Sequence, residues 1–237
     1  MAETQLQIIN KVQRRLRETV TASAATSDYS TLLAEFLNDV IDDLNSVHDW
    51  SLLESEESVS LAASTRTYDL TGTTNQSQLL FDQNNRPLAV LFDDGSDDAA
   101  NVRMNYLPPN DLWMLIQTDR DETEEDPNYF TLRQQNDADN LELEIWPLPE
   151  VSRLARLRFW TPQPTLAVDG TADATTIYLP ARPLYLGTLM LALNERGEEI
   201  GEPGNLAEQR YLSAVADAVY TDTIARGRGN AFEFRRD

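Results

Sequence analysis

The chain of 237 residues carries one histidine, no cysteine and nine glycines, and these counts limit the chemistry open to it. Thiolate metal sites and sites built on several imidazoles are excluded. Any Ser/His/Asp acyl-transfer arrangement would have to use His48, which stands beside Asp49 and Trp50 where a helical pattern ends. A capping or surface role suits that position better than a general base. Glu142 and Glu144, two apart in an alternating run, project to one side as glycosidase carboxylates could. Alternating acids on the wet face of a strand are ordinarily just solvated. Asp119, Asp121, Thr123 and Glu125 fall at calcium-loop spacing, yet Glu124 stands where the loop needs glycine and Phe130 where it needs its closing glutamate. That motif fails. With the glycines scattered in turns there is no phosphate-cradling loop either, so the residues single out no catalytic, cofactor or metal site.

Charge and hydropathy narrow the class further. Forty acidic residues against 19 basic give a formal charge of -21, which opposes binding to nucleic-acid backbone, where affinity comes from neutralising phosphates. A hydrophobic content of 41% supports a real core. The longest apolar run, residues 184–193, is interrupted by Gly187 and Thr188 and is about half the roughly 20 residues of a membrane span. The N-terminus is polar and amphipathic rather than a secretory signal, so a soluble chain with no membrane partner is expected, made in the cytoplasm.

Periodicity supplies the elements. Leu6, Ile9, Val12, Leu16 and Val20 mark an amphipathic helix over residues 4–21, with a basic wet side of Lys11, Arg14, Arg15 and Arg17. Ser27 or Asp28 caps a second helix, whose wide stripe runs from Leu33 to Val47 and is closed by Trp50. From residue 51 the period becomes two. Strands around Val59 and Tyr68 precede a hairpin of residues 87–92 and 102–107, turned at Asp94-Gly95, and residues 110–117 read as a short helix. The strongest pattern follows: Tyr129 to Arg133, then Leu141 to Trp146, then Leu154, Leu157 and Phe159 among arginines, a three-strand meander interrupted by Pro147 and Pro149. A short strand at residues 176–179 stops at Pro180. Two helices end the pattern, one capped by Gly197 and one ending at Gly227.

Helices at both ends with strands between predict an α+β fold. Residues 1–50 and 181–227 would form a discontinuous helical domain, 51–180 an inserted antiparallel β-barrel or sandwich-like domain, and 228–237 an extended tail. Trp50, placed where the period changes, is the expected domain junction. In the tail Arg226, Arg228, Arg235 and Arg236 cluster at the end of an acidic chain, and Phe232 and Phe234 stand at strand spacing. Such a segment suits addition to a sheet edge or a groove between subunits, with aromatic and arginine side chains as anchors.

The order of these pieces resembles the head-to-tail adaptor, or connector, proteins of tailed bacteriophages, related to the podovirus tail-tube adaptor or gatekeeper class. The matching pieces are LLAEFLNDVIDDLNSVHDW, the strand pair around TYDL, PNYFTL with LELEIWPLP, RLRFWTPQPTL, the YLP before the third helix and the closing helix. They span nearly all of residues 28–227. The link after TYDL is longer than usual, and the aspartate-rich loops at 93–98 and 119–126 look like local elaborations.

That resemblance implies a structural virion protein without enzymatic activity: a homo-oligomeric ring, typically of twelve copies, under the portal, with a tail or tail-nozzle (stopper) protein on the other face. Genomic DNA would pass through the lumen without sequence-specific binding. By the same resemblance Arg226, Arg228, Phe232, Phe234, Arg235 and Arg236 are expected to reach the portal. The chain would sit at the head–tail junction of the virion after assembly in the host cytoplasm. A rival expectation, a glycan-binding or glycoside-cleaving β domain, would use Trp146, Trp160 and the nearby carboxylates.

Overall fold

The structure, a computed structural model, describes residues 2–82, 84–93, 102–118, 125–135, 139–197 and 202–233. The chain forms two compact units, Met1–Leu53 with Gln163–Asp237, and Glu54–Pro162. The first begins with β1 (Glu3–Thr4) and α1 (Gln5–Arg15). Thr4 caps α1 reciprocally: its hydroxyl accepts from the Gln7 amide at 3.4 Å, and its own amide donates to Gln7 Oε1 at 3.0 Å. Ile8, Ile9 and Val12 are fully buried along one side. The helix stops well short of residue 21. Arg17 turns left-handed (φ 60°), its amide donates to Arg14 O at 3.2 Å and the Glu18 amide to Gln13 O at 2.8 Å, so the last carbonyls are satisfied by a Schellman closure. Glycine would adopt that backbone without strain, whereas an arginine there costs about 1 kcal/mol.

Helix α2 (Asp28–Val47) starts where the sequence places it, with the Ser30 amide donating to Ser27 Oγ at 3.1 Å. Leu33, Leu37, Val40, Ile41 and Leu44 are at most 1% exposed, and each contributes roughly 1.5 to 3 kcal/mol of burial.

The second unit contains β2 (Glu54–Leu61), β3 (Thr67–Leu70), β4 (Gln78–Leu79), β5 (Ala89–Asp93), β6 (Val102–Arg103), β7 (Asn105–Tyr106), α3 (Pro109–Thr118), β8 (Tyr129–Gln134), β9 (Leu141–Trp146) and β10 (Arg153–Trp160). One sheet has the order β2–β10–β5–β6, with β4 also on β10; the other has the order β3–β9–β8–β7. Both contribute to one core: Val59, Leu61, Leu91, Leu157 and Phe159 from the first sheet, Leu70, Phe130, Leu143 and Ile145 from the second. The fold is thus α+β with a sandwich-like pair of sheets, and among the described residues neither sheet closes into a barrel. Pairing is antiparallel except between β7 and β8, where Asn105 lies opposite Tyr129.

The expected meander is only half present. Strands β8 and β9 form a hairpin with Phe130 opposite Ile145, but β10 leaves for the other sheet and lies between β2 and β5. Pro147 and Pro149 end the ladder after β9, and alternation alone specifies which side chains face inward, not which strand lies alongside. The arginines of β10 reach the glutamates of β2, with Arg158 Nη2 at 3.1 Å from Glu54 and Arg156 Nε at 3.9 Å from Glu56. These exposed pairs add less than about 1 kcal/mol each. Strands β5 and β6 pair as expected for the hairpin, Leu91 opposite Val102. The Asp94-Gly95 turn and most of the calcium-spaced run, residues 119–124, lie outside the described residues.

The periodicity draws the end of the β segment at residue 180, yet the chain returns to the helical unit at Gln163. Two asparagines of α2 account for this. Asn45 donates to Gln163 O at 2.9 Å and accepts from the Gln163 amide at 3.2 Å, and Asn38 does the same at Leu166, at 2.9 and 3.0 Å. Strand β11 (Thr176–Ile177) then pairs with β1, Glu3 opposite Ile177. Helix α4 (Ala181–Glu195) ends at Gly197 in the left-handed region (φ 67°), whose amide donates to Asn194 O at 2.9 Å. In the middle of α4, a Cβ on Gly187 would lie 2.8 Å from Val40 Cγ1 and 2.9 Å from Tyr211 Cε2, so the close approach of α4 to its neighbours needs a glycine.

Helix α5 (Glu202–Glu233) passes the expected stop at Gly227 and includes residues 228–233, where the sequence suggests an extended tail. Glycines 227 and 229 lower helix propensity by about 1 kcal/mol each, but no proline follows to end the helix. Among the described residues no helix is long and apolar enough to cross a membrane.

Candidate functional site

The sole histidine, the segment that closes α2 and the distal half of α5 meet in one place. His48 ends α2 with extended backbone, and a 3₁₀ turn over Ser51–Leu53 follows it. Between them Trp50, 1% exposed, donates its indole N–H to Leu44 O at 2.8 Å, with the His48 ring edge-on at 4.9 Å. Asp222 of α5 gathers the polar groups of this segment. His48 Nε2 lies 2.9 Å from Asp222 Oδ2, the Ser51 amide donates to the same oxygen at 3.2 Å, and Ser51 Oγ donates to Oδ1. Arg226, one turn on, brings its Nε to 3.5 Å from Asp222 Oδ2 and donates to Asp49 O.

This cluster matters because of how little else holds that part of α5. Among its described residues Tyr211 and Ala214 are the buried ones, and from 215 to 226 none is buried. Asp222 lies eight residues past Ala214, about 12 Å along the helix, so polar contacts take over where apolar packing ends. Beside it runs a groove of about 780 Å³, walled by Trp50, Leu179, Pro180 and Pro183 on one side and Ala214, Ala218 and Ala225 on the other. Leu52 and Tyr178 stand at its lip, 65% and 54% exposed.

The residue types of an acyl-transfer triad therefore come together, but in the wrong order for nucleophilic catalysis. The carboxylate sits between the imidazole and the hydroxyl, and the serine donates to the aspartate, a carboxylate of lowered pKa, so no imidazole is placed to take its proton. The glycosidase reading fares similarly. Glu144, expected on a wet face, is 5% exposed and ion-paired with Arg133. Trp146 and Trp160 are 3% and 5% exposed, and the Arg66 guanidinium covers the Trp146 ring at 5.2 Å, so neither indole offers a face to a sugar.

Of the residues singled out for partner binding, Arg226 is engaged within its own chain. Arg228 and Phe232 lie on the backbone of α5, and Phe234, Arg235 and Arg236 lie outside the described residues. Sequence reasoning missed Asp222 and Ser51. They are 171 positions apart, and an aspartate among the polar positions of a helix carries no local mark of its partner.

Burial of Asp222 raises its pKa, but the bonds from Ser51 and His48, the Ser51 amide and the Arg226 charge outweigh that and hold it below the ordinary 3.8. The unfolded chain then takes up the proton more readily than the folded one. The stabilisation is complete above 3.8 and is lost as pH falls through the lower folded-state value. We expect Asp222→Asn to lose about 1.5 to 3 kcal/mol at neutral pH, because charge-assisted bonds disappear around a half-buried site. In thermal melts its deficit against wild type should shrink once pH drops below 3.8; a deficit that does not change with pH would contradict the role given to the charge.

A comparison with curated proteins finds no match. A family model described as SU10 adaptor protein matches residues 4–231, from the cap of α1 to the last turn of α5. The match reaches across both units, from α1 into α5 and over both sheets of the second unit, in agreement with the resemblance to phage head-to-tail adaptors, and the chain belongs to the SU10 adaptor protein family.

Proposed function

We propose that this chain is the ring-forming subunit between the portal and the tail of a tailed bacteriophage. The single observation that carries the reading is the family match over residues 4–231, which makes the chain a structural adaptor of a phage. In the proposed assembly about twelve copies close a ring beneath the portal, and a tail or tail-nozzle (stopper) protein binds the opposite face. DNA transits the lumen during packaging and ejection without base-specific contacts. The charge of -21 supports this: a channel through which DNA must slide is served by like-charge repulsion, and a basic lining would hold the phosphates. The subunit works by binding rather than by chemistry, in keeping with a serine that has no imidazole beside it and a buried glutamate held by Arg133. It assembles in the host cytoplasm and ends in the virion.

The portal anchor in this reading is the end of the chain, Arg226, Arg228, Phe232, Phe234, Arg235 and Arg236. The contacts that Arg226 makes with Asp222 and Asp49 O support this reading by holding α5 just before the rest of the anchor, from Arg228 on, is reached.

Subunits of this charge repel each other, so neighbour contacts must overcome that repulsion. Alone, at low ionic strength, the protein should sediment as a monomer or weak oligomer and associate as added salt screens the charges, the Debye length falling from about 30 Å at 0.01 M to about 8 Å at 0.15 M. A stable ring at low salt without portal would overturn the requirement for a portal template.

A further inference from the structure

We infer that a cleft in the helical unit, lined by leucines and arginines, receives helix α3 of a neighbouring copy; this rests on the ring reading above. The cleft has a volume of about 490 Å³ and is lined by Leu16, Leu193 and Leu206 together with Arg15, Arg17 and Arg210. Leu206 is 46% exposed, a large apolar side chain open to water. Three of the 19 basic residues of a chain with net charge -21 converge here. Among the described residues none of the three guanidinium groups has an acidic partner, although the chain has two acids for every base. Arg17 stands at a left-handed position where glycine would be unstrained. Cations grouped in an apolar cleft, in a chain so rich in acids, call for an apolar partner segment free of positive charge.

Helix α3 fits that description. It carries no basic residue, and its one charge is the exposed Asp111. Trp113 and Met114 are 53% and 58% exposed, adjacent on a helix whose opposite side is fixed by Leu112 packed with Trp146 and Leu148. The anchors are therefore held on a rigid element before binding. Tryptophan is enriched at binding hot spots, its ring face attracts guanidinium groups, and a thioether adapts to a leucine lining. Asp111, one turn before Met114, supplies the counter-charge. Because cleft and helix are different surfaces of the chain, each copy offers one and uses the other, a heterologous contact that closes a ring when its rotation allows.

The chain has no cysteine, so a pair of introduced thiols reports this contact without background. Met114→Cys and Leu206→Cys variants, mixed and assembled on portal, should yield covalent dimers on oxidation or with a short thiol cross-linker, and neither variant alone should do so. Trp113→Ala should weaken assembly by at least tenfold, a hot-spot loss. An assembly of full mass without the mixed cross-link overturns this docking and leaves the ring reading standing. Failure of the wild-type chain to form any ring on portal overturns both.

Discussion

Trp50→Ala should lower the stability of the helical unit by about 3 to 5 kcal/mol, the largest single-residue effect expected outside the sandwich core. The indole is 1% exposed, packs against His48 and is hydrogen-bonded to Leu44 O, so its removal leaves a large cavity and a carbonyl without its donor. The loss should also reach α5. Trp50 lines the groove beside that helix, and its neighbours His48 and Ser51 are the groups that hold Asp222. Trp50→Phe keeps most of the packing and loses the N–H bond, and should cost about 1 kcal/mol from that bond beside the smaller ring. Denaturant midpoints would separate the two variants. An alanine variant with an unchanged melting temperature would contradict the burial on which the junction between α2 and the following turn depends.

Removal of residues 229–237 should abolish attachment to portal while leaving the subunit folded. The cut falls fifteen residues past Ala214, the last buried residue described on α5, and it spares Asp222 and Arg226, so neither the core nor the polar cluster is touched. What it removes is Phe232, Phe234, Arg235 and Arg236, aromatic and cationic groups at the end of a chain that is otherwise strongly acidic. Co-sedimentation with portal rings measures the effect, and the melting curve of the same preparation shows whether the fold survives. If the truncated chain sediments with portal as well as the full-length chain does, the anchor lies elsewhere, and the exposed basic side of α1, with Lys11, Arg14 and Arg15, becomes the place to cut next.

Local signals were legible in the sequence where they determine local structure. Ser27 or Asp28 marked the start of α2, Ser27 proving to be the cap, Gly197 marked the end of α4, and the alternation of β8 and β9 gave a hairpin with Phe130 and Ile145 in the core. What the sequence hid was long-range pairing. The alternation of β10 is that of a third meander strand, and nothing in period two distinguishes β9 from β2 and β5 as neighbours. Asn38 and Asn45 read as ordinary polar positions of α2, yet they draw residues 163–166 onto that helix. Arg17 illustrates a third case: a non-glycine left-handed residue ended α1 at Arg15, five residues before the apolar pattern ends at Val20, because the Schellman bonds outweigh the strain. The candidate site was half legible. His48 was noticed as the sole histidine and Trp50 as the residue where the period changes, but Asp222, which joins them to α5, had no sequence signature.

The measurement closest to the central claim is the native mass of purified portal particles before and after this chain is added. The ring reading predicts a single step equal to a whole number of subunits, about twelve, with no ladder of partial occupancies once the chain is in excess. A portal mass that stays unchanged, or that rises by scattered single subunits without closing, would contradict it.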